Sequence, residues 1–367
     1  MVIPEKGSRR KISWDVVRAG CVTLVMLYHS TTVSVEFHPE IEPRTFTFPW
    51  QVGASMLLVV SAYFACVTIG RGTVLRYWWG RLARLLPAFV AGSVLIFLLT
   101  RAFHVEGWYL PDVRDLVEHL LMLWHWKPRE FEFLDVAHWT VPLQLMGFTA
   151  AALLYRSRLG RGNRIVGVLW FALLLPIAQW PIRASDPPEF YRMLADGLGV
   201  HRWHLFVAGV VIWLWSARRL RTPHFAAFLG SAMFAQWLHS FEVGPSGTLT
   251  PDLGSSACVA LGLCLIALVA RGPDWDAVIP AAARRPVQWY AGISYGVYLT
   301  HQSLGHMVVR GLQDLGMPSS LQTAGMLATG VLLGWGLTRV VEQPAHRYLM
   351  RAYDRFATER RPVSGGV

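Results

Sequence analysis

The chain has 367 residues, of which 53% are hydrophobic and only 16% charged, and its formal net charge is +11. Average soluble domains carry about 25% charged residues, and here the charges gather in short clusters separated by apolar runs of roughly 17–22 residues, the length that spans about 30 Å of hydrocarbon. Those runs are apolar on every face, which excludes an ordinary soluble domain with striped helices. The positive charge follows the loops, which excludes a nucleic-acid partner.

In chain order, spans are predicted at about 15–33, 50–70, 86–103, 140–156, 164–181, 203–217, 224–240, 254–270, 288–309 and 321–342. The fold class is therefore all-α, a polytopic membrane helix bundle of about ten transmembrane helices. Residues 116–126 are apolar but too short to span, carry Glu118, His119 and His125, and read as an interfacial or re-entrant helix. Lys6, Arg9, Arg10 and Lys11 precede a long first run without a cleavage site, so this run is predicted to be retained. Alternate loops hold most of the 34 Lys and Arg, from this first cluster through Arg71 and Arg156 to Arg347, Arg360 and Arg361. The opposite loops hold most of the acids, among them Glu40, Glu106, Glu132 and Asp186. By the positive-inside rule both termini are predicted to be cytoplasmic. Residues 1–350 form one membrane domain, followed by a polar cytoplasmic tail, 351–367. Cys21, Cys66, Cys258 and Cys264 lie inside apolar runs with neither metal-ligand nor disulfide spacing and read as small buried residues.

Ionisable groups inside spans are costly and mark sites by default. The first span reads Asp15-Val16-Val17-Arg18 and, further on, Tyr28-His29-Ser30. His29 lies eleven residues beyond Arg18, about 16 Å deeper along a helix, and close to three turns apart the two side chains share a face. Arg76 opens a cluster ending in Arg81-Leu82-Ala83-Arg84-Leu85-Leu86-Pro87. Arg81 and Arg84, three apart, share a helix face and suit a phosphate-bearing ligand. His138, Trp139 and Gln144 enter the fourth span. Tyr295, Tyr298 and His301 lie in the ninth, and Glu342-Gln343-Pro344 closes the tenth.

In this order, the pieces resemble the acyltransferase-three family of bacterial membrane O-acyltransferases. That family shows Asp-x-x-Arg…His, Arg-x-x-Arg-x-x-Pro, Trp-Ser/Thr-x-x-x-Glu, Ile-Ser-Tyr-x-x-Tyr-Leu-x-His and a terminal Glu-x-Pro. The resemblance covers about residues 13–350, with Gln144 where the family usually has Glu and Ala62 where it usually has Gly. It implies a multi-pass protein of the bacterial cytoplasmic membrane, acyl-CoA as donor, no metal, and a hydroxyl of a sugar, glycan or natural product such as a macrolide as acceptor.

On this reading His29 is the catalytic base, or carries the acyl group briefly, with Arg18 and Asp15 beside it in the first-span motif. Arg81, Arg84 and Arg76 hold the phosphates of CoA. Gln144, Trp139, His138, Tyr295, Tyr298 and His301 line the acceptor side or orient His29. The partners are acyl-CoA, a hydroxyl-bearing acceptor and the lipid bilayer. The competing class is a transporter or flippase, which also places His and Arg within spans.

Overall fold

The computed structural model describes residues 11–127, 130–185, 187–243 and 249–359. Lys6, Arg9, Arg10, Asp186, Arg360 and Arg361, which enter the charge pattern, lie outside the described residues. The structure is predominantly helical, with one two-stranded antiparallel hairpin, Phe241–Val243 against Leu249–Pro251.

Helix α1 (Ile12–Phe37) is continuous but changes pitch. It is α-helical to Tyr28, takes a π turn over His29–Val33 and recovers at Ser34. No neighbouring side chain caps its start. Instead Asp274, far along the chain, accepts the N–H groups of Ile12 (3.1 Å) and Ser13 (2.9 Å), satisfying orphan donors and opposing the helix dipole. Then follow α2 (Gly53–Ile69) and α3 (Val74–Ala102), the second capped by Thr73 Oγ1, which accepts from Arg76 N at 3.1 Å. The segment read as interfacial or re-entrant forms two short helices, α4 (Val113–Leu120) and α5 (Leu123–Trp126), which turn at Met122 with φ 58°. The chain continues through α6 (Thr140–Arg156), α7 (Arg164–Ala184), α8 (Glu189–Gly197), α9 (Trp203–Ser216), α10 (Thr222–His239) and α11 (Leu253–Arg271). It ends with α12 (Ala281–Thr300), α13 (Ser303–Asp314) and α14 (Ser319–Thr358), the last with a second π turn at Thr338–Glu342. The tail boundary drawn at 351 therefore falls inside α14.

Among the described residues five helices, α1, α3, α7, α11 and α14, are long and apolar enough to cross a membrane. The bent pair Glu189–Gly197 and Val200–Ser216 makes a sixth if taken as one span. Helix α2 is apolar but shorter. Leu98, Phe171, Leu174, Leu261, Leu265 and Leu332 stand exposed on these helices. A body whose outside is as apolar as its inside belongs in hydrocarbon rather than water.

The run expected to span 288–309 is not one helix. Helix α12 stops at Thr300 and α13 starts at Ser303, leaving His301 and Gln302 at the break. The cause is Asp135, which is 2% exposed. One of its carboxylate oxygens accepts Ser303 N–H (3.0 Å) at the start of α13, and the other accepts Ala137 N–H (2.8 Å). Ser303 Oγ also donates to Leu134 O (2.9 Å). An apolar window registers hydrophobicity and misses such a cap.

Close crossings hold α12 in place. A side chain on Gly334 would meet the backbone of Val297, and a Cβ on Gly330 would stand 3.0 Å from the Cβ of His301. Small residues thus let α14 approach the helix that ends at His301, as in other membrane helix packings.

Candidate functional site

His29, at the start of the π turn, and His301, just past the end of α12, meet in the interior. Their rings are nearly parallel, 4.8 Å between centroids and 7° between planes, and His29 Nδ1 lies 2.7 Å from His301 Nε2. The proton positions follow from the partners. His301 Nδ1 faces only carbonyls, Tyr298 O (3.0 Å) and Val297 O (3.2 Å), so it is the N–H donor to both. In the neutral ring Nε2 then accepts, and His29 Nδ1–H donates to it. The lone pair of His29 is thereby fixed on Nε2. A ring held in one tautomer by a partner on its other nitrogen is the arrangement of a general base. His306 completes the cluster, its Nε2–H donating to His29 O at 3.1 Å.

Two cavities approach this pair. The first, about 80 Å³, is lined by Arg18, Arg81, Arg84, Gln144, Tyr295 and Tyr298, together with Ser61, Thr140, Ser294 and apolar neighbours. Arg81 donates to Thr68 Oγ1 (2.6 Å) and Phe64 O (3.0 Å), and its guanidinium lies 4.9 Å from the ring centre of Phe148. Arg84 Nε pairs with Glu342 Oε1 at 3.3 Å, while Thr338 Oγ1 donates to Glu342 Oε2 at 3.0 Å. The Thr338 contact lies within the second π turn, and the Arg84 contact ties that turn to α3. Arg18 lies over Phe64, 5.5 Å from its centroid. Gln144 joins Ser61 Oγ and Thr140 Oγ1, each at 3.4 Å. Tyr298 donates to Ala137 O, accepts from Thr140 Oγ1 (2.9 Å), and its ring is 6.1 Å from that of His301.

The second cavity, about 680 Å³, includes His38, Glu40, Glu106, Trp108, Glu132, Asp135, Gln302, Ser303 and His306 in its lining. It reaches the pair through His306, as the first does through Tyr298. The two cavities sit at opposite ends of the same helices. Arg18 and Phe37 on α1, and Arg81 and Thr100 on α3, mark the two cavities nineteen residues apart, about 28 Å of helix rise, close to the ~30 Å of a bilayer core.

Four predicted residues lie elsewhere. Asp15, in the first turn of α1, is 2% exposed and fourteen residues from His29, about 21 Å along the helix. Arg76 lines neither cavity and forms a bidentate pair with Asp354 at 2.9 and 3.1 Å. His138 is fully buried with both nitrogens engaged. Leu134 N–H donates to His119 Nδ1 (3.3 Å), His119 Nε2–H to His138 Nδ1 (2.9 Å), and His138 Nε2–H to Leu299 O (2.9 Å). This satisfied relay ties the 134–139 segment to α12. Trp139 is covered by the guanidinium of Arg202 at 5.2 Å. His306, Gln302 and Asp135 were not foreseen as site residues. Buried polar side chains within an otherwise apolar stretch were the available signal for the first two.

An apolar helical body with ionisable side chains collected in its interior defines a membrane protein with an internal polar site. Residues 11–339, nearly the whole chain, match the family model of acyltransferase three, an acyltransferase domain, and the chain belongs to that family. No curated protein and no solved structure matches the chain.

Proposed function

We propose that the protein is an integral O-acyltransferase of a bacterial cytoplasmic membrane, which it crosses about ten times with both ends inside. It moves an acyl group from acyl-CoA to a hydroxyl of a sugar, glycan or natural product. The observation that carries this reading is the 2.7 Å bond from His29 Nδ1–H to His301 Nε2, set between the arginine-lined cavity and the acidic one. His29 Nε2 takes the proton of the acceptor hydroxyl as its oxygen attacks the thioester carbonyl. The C–S bond breaks, and the imidazolium returns the proton to the departing CoA thiolate. A short-lived acyl-imidazole is the two-step form of the same transfer.

Three guanidiniums around the smaller cavity suit an anionic donor. One water needs about 10–15 Å³ of such space, so the cavity accommodates the thioester end and leaves the nucleotide at the mouth. An extended pantetheine arm of about 15–20 Å matches the ~16 Å of helix rise from Arg18 to His29.

Thiol release from acetyl-CoA by the purified full-length protein, with an acceptor panel, tests the reading. Wild type releases thiol and His29→Ala does not, while retaining its melting temperature. Arg81→Gln or Arg84→Gln raises the KM for acyl-CoA more than that for acceptor. Undiminished turnover by His29→Ala removes the base, and a wild type that never releases thiol points to the transporter class.

A further inference from the structure

The acidic cavity contains a feature that the donor reaction leaves unused. Gln302, at the break between α12 and α13, is 4% exposed and lines the cavity, and its buried side-chain oxygen Oε1 has no hydrogen-bond partner. A buried carbonyl oxygen without a partner is costly, and an acceptor group that faces a cavity is where a ligand donor fits. Its sequence neighbour, His301, holds the tautomer of His29, and its cavity neighbour, His306, donates to the backbone of His29. The floor of the cavity is thus one residue from His301, the partner of the proposed base.

The charge lining this cavity is one-sided. Among the described residues four carboxylates line it and no Lys or Arg does. They are not equivalent. Asp135 has both oxygens engaged by backbone N–H groups, and Glu40 accepts from Trp108 Nε1. Glu106 and Glu132 stand exposed at the mouth. A cleft lined by one sign of charge concentrates ligands of the other sign.

We infer that the acidic cavity is the acceptor site and that it selects a hydroxylated acceptor carrying a positive charge, of the amino-sugar class, with Gln302 Oε1 receiving a hydroxyl on the floor and Glu106 and Glu132 facing the ammonium at the mouth. The word acceptor rests on the acyl-transfer reading. The preference for a cationic polyol rests on the cavity alone. At about 680 Å³ the cavity falls within the 300–1,000 Å³ typical of small-molecule sites.

The test measures equilibrium binding to the full-length protein without donor, comparing the glucosamine trisaccharide with the uncharged maltotriose. The amino sugar is expected to bind at least tenfold tighter, about 1.4 kcal/mol. The double variant Glu106→Gln/Glu132→Gln, altered only at exposed positions, brings the amino sugar to within threefold of maltotriose. Gln302→Leu weakens both sugars about tenfold. Equal binding of the two sugars by wild type, no binding of either, or a preference that survives the double substitution overturns the inference. Unchanged affinity in Gln302→Leu removes the floor contact. Because no donor is present, these results are independent of thiol release, which reports separately on acyl transfer.

Discussion

If His301 acts by holding the tautomer of His29, replacing it should damage chemistry and leave donor binding alone. His301→Leu deletes the acceptor of the 2.7 Å bond from His29 Nδ1–H. The bond is buried, and stranding such a donor costs about 1–3 kcal/mol, equivalent to a factor of roughly 5–150. The His29 ring escapes that cost by moving its proton to Nε2, which removes the lone pair from the reacting nitrogen. Single-turnover thiol release with saturating acetyl-CoA should therefore slow about 5- to 150-fold, with the KM for acyl-CoA unchanged. His301→Gln, whose amide oxygen can accept from Nδ1–H, should recover part of the rate. A residue that acts only through His29 is also silent without it, so the double variant with His29→Ala should be no slower than His29→Ala alone, itself down about 10²–10⁴-fold. Full activity in His301→Leu, or additive losses in the double variant, would refute the reasoning.

Two further outcomes follow from the geometry. Gln144→Glu adds a carboxylate to a cavity lined by Arg18, Arg81 and Arg84. Weakening attraction for an anionic donor by one or two kcal/mol should raise the KM for acyl-CoA about 5- to 30-fold, read in the thiol-release assay against varied donor. Asp274→Ala removes the cap on α1 and should cost about 0.5–2 kcal/mol, seen as a lower melting temperature in detergent. Burial works to raise the Asp274 pKa, but the N–H groups of Ser13, Ile12 and Trp275 outweigh it and hold the carboxyl below its ordinary value of 3.8. Its contribution is therefore fully present above that ordinary value and fades as pH falls through the lower folded value. The gap in melting temperature between wild type and variant should close under those acidic conditions.

The helices were legible because hydrophobic length survives in a single sequence. The predicted run 140–156 coincides with Thr140–Arg156, and 164–181 lies within Arg164–Ala184. The buried position of His29 was legible for the same reason, since it falls well inside an apolar run. What escaped depends on partners far along the chain. Arg76 reads like Arg81 and Arg84 until Asp354 is seen to hold it away from the cavity. Arg84 reads as a free cation until Glu342 pairs with it. His138 reads as a possible ligand group until His119 and Leu299 take both nitrogens. The π turns at His29 and Glu342 leave no mark in residue pattern, yet both carry residues of the candidate site, as such turns often do at functional sites.

A chain of contacting aromatic and imidazole residues, Tyr298, His301, His29 and His306, runs from the lining of one hollow to that of the other. A membrane body carved from both ends has to remain tight to ions, and on the proposed function these rings belong to the plug. A neutral acyl group, or a proton carried on a ring nitrogen, can be handed across such a plug without opening a channel for hydrated sodium or potassium. Substituting its rings with small side chains therefore threatens the cell's ion gradients as well as the reaction. Tolerance to substitution in these rings should be lower than a loss of acylation alone would explain.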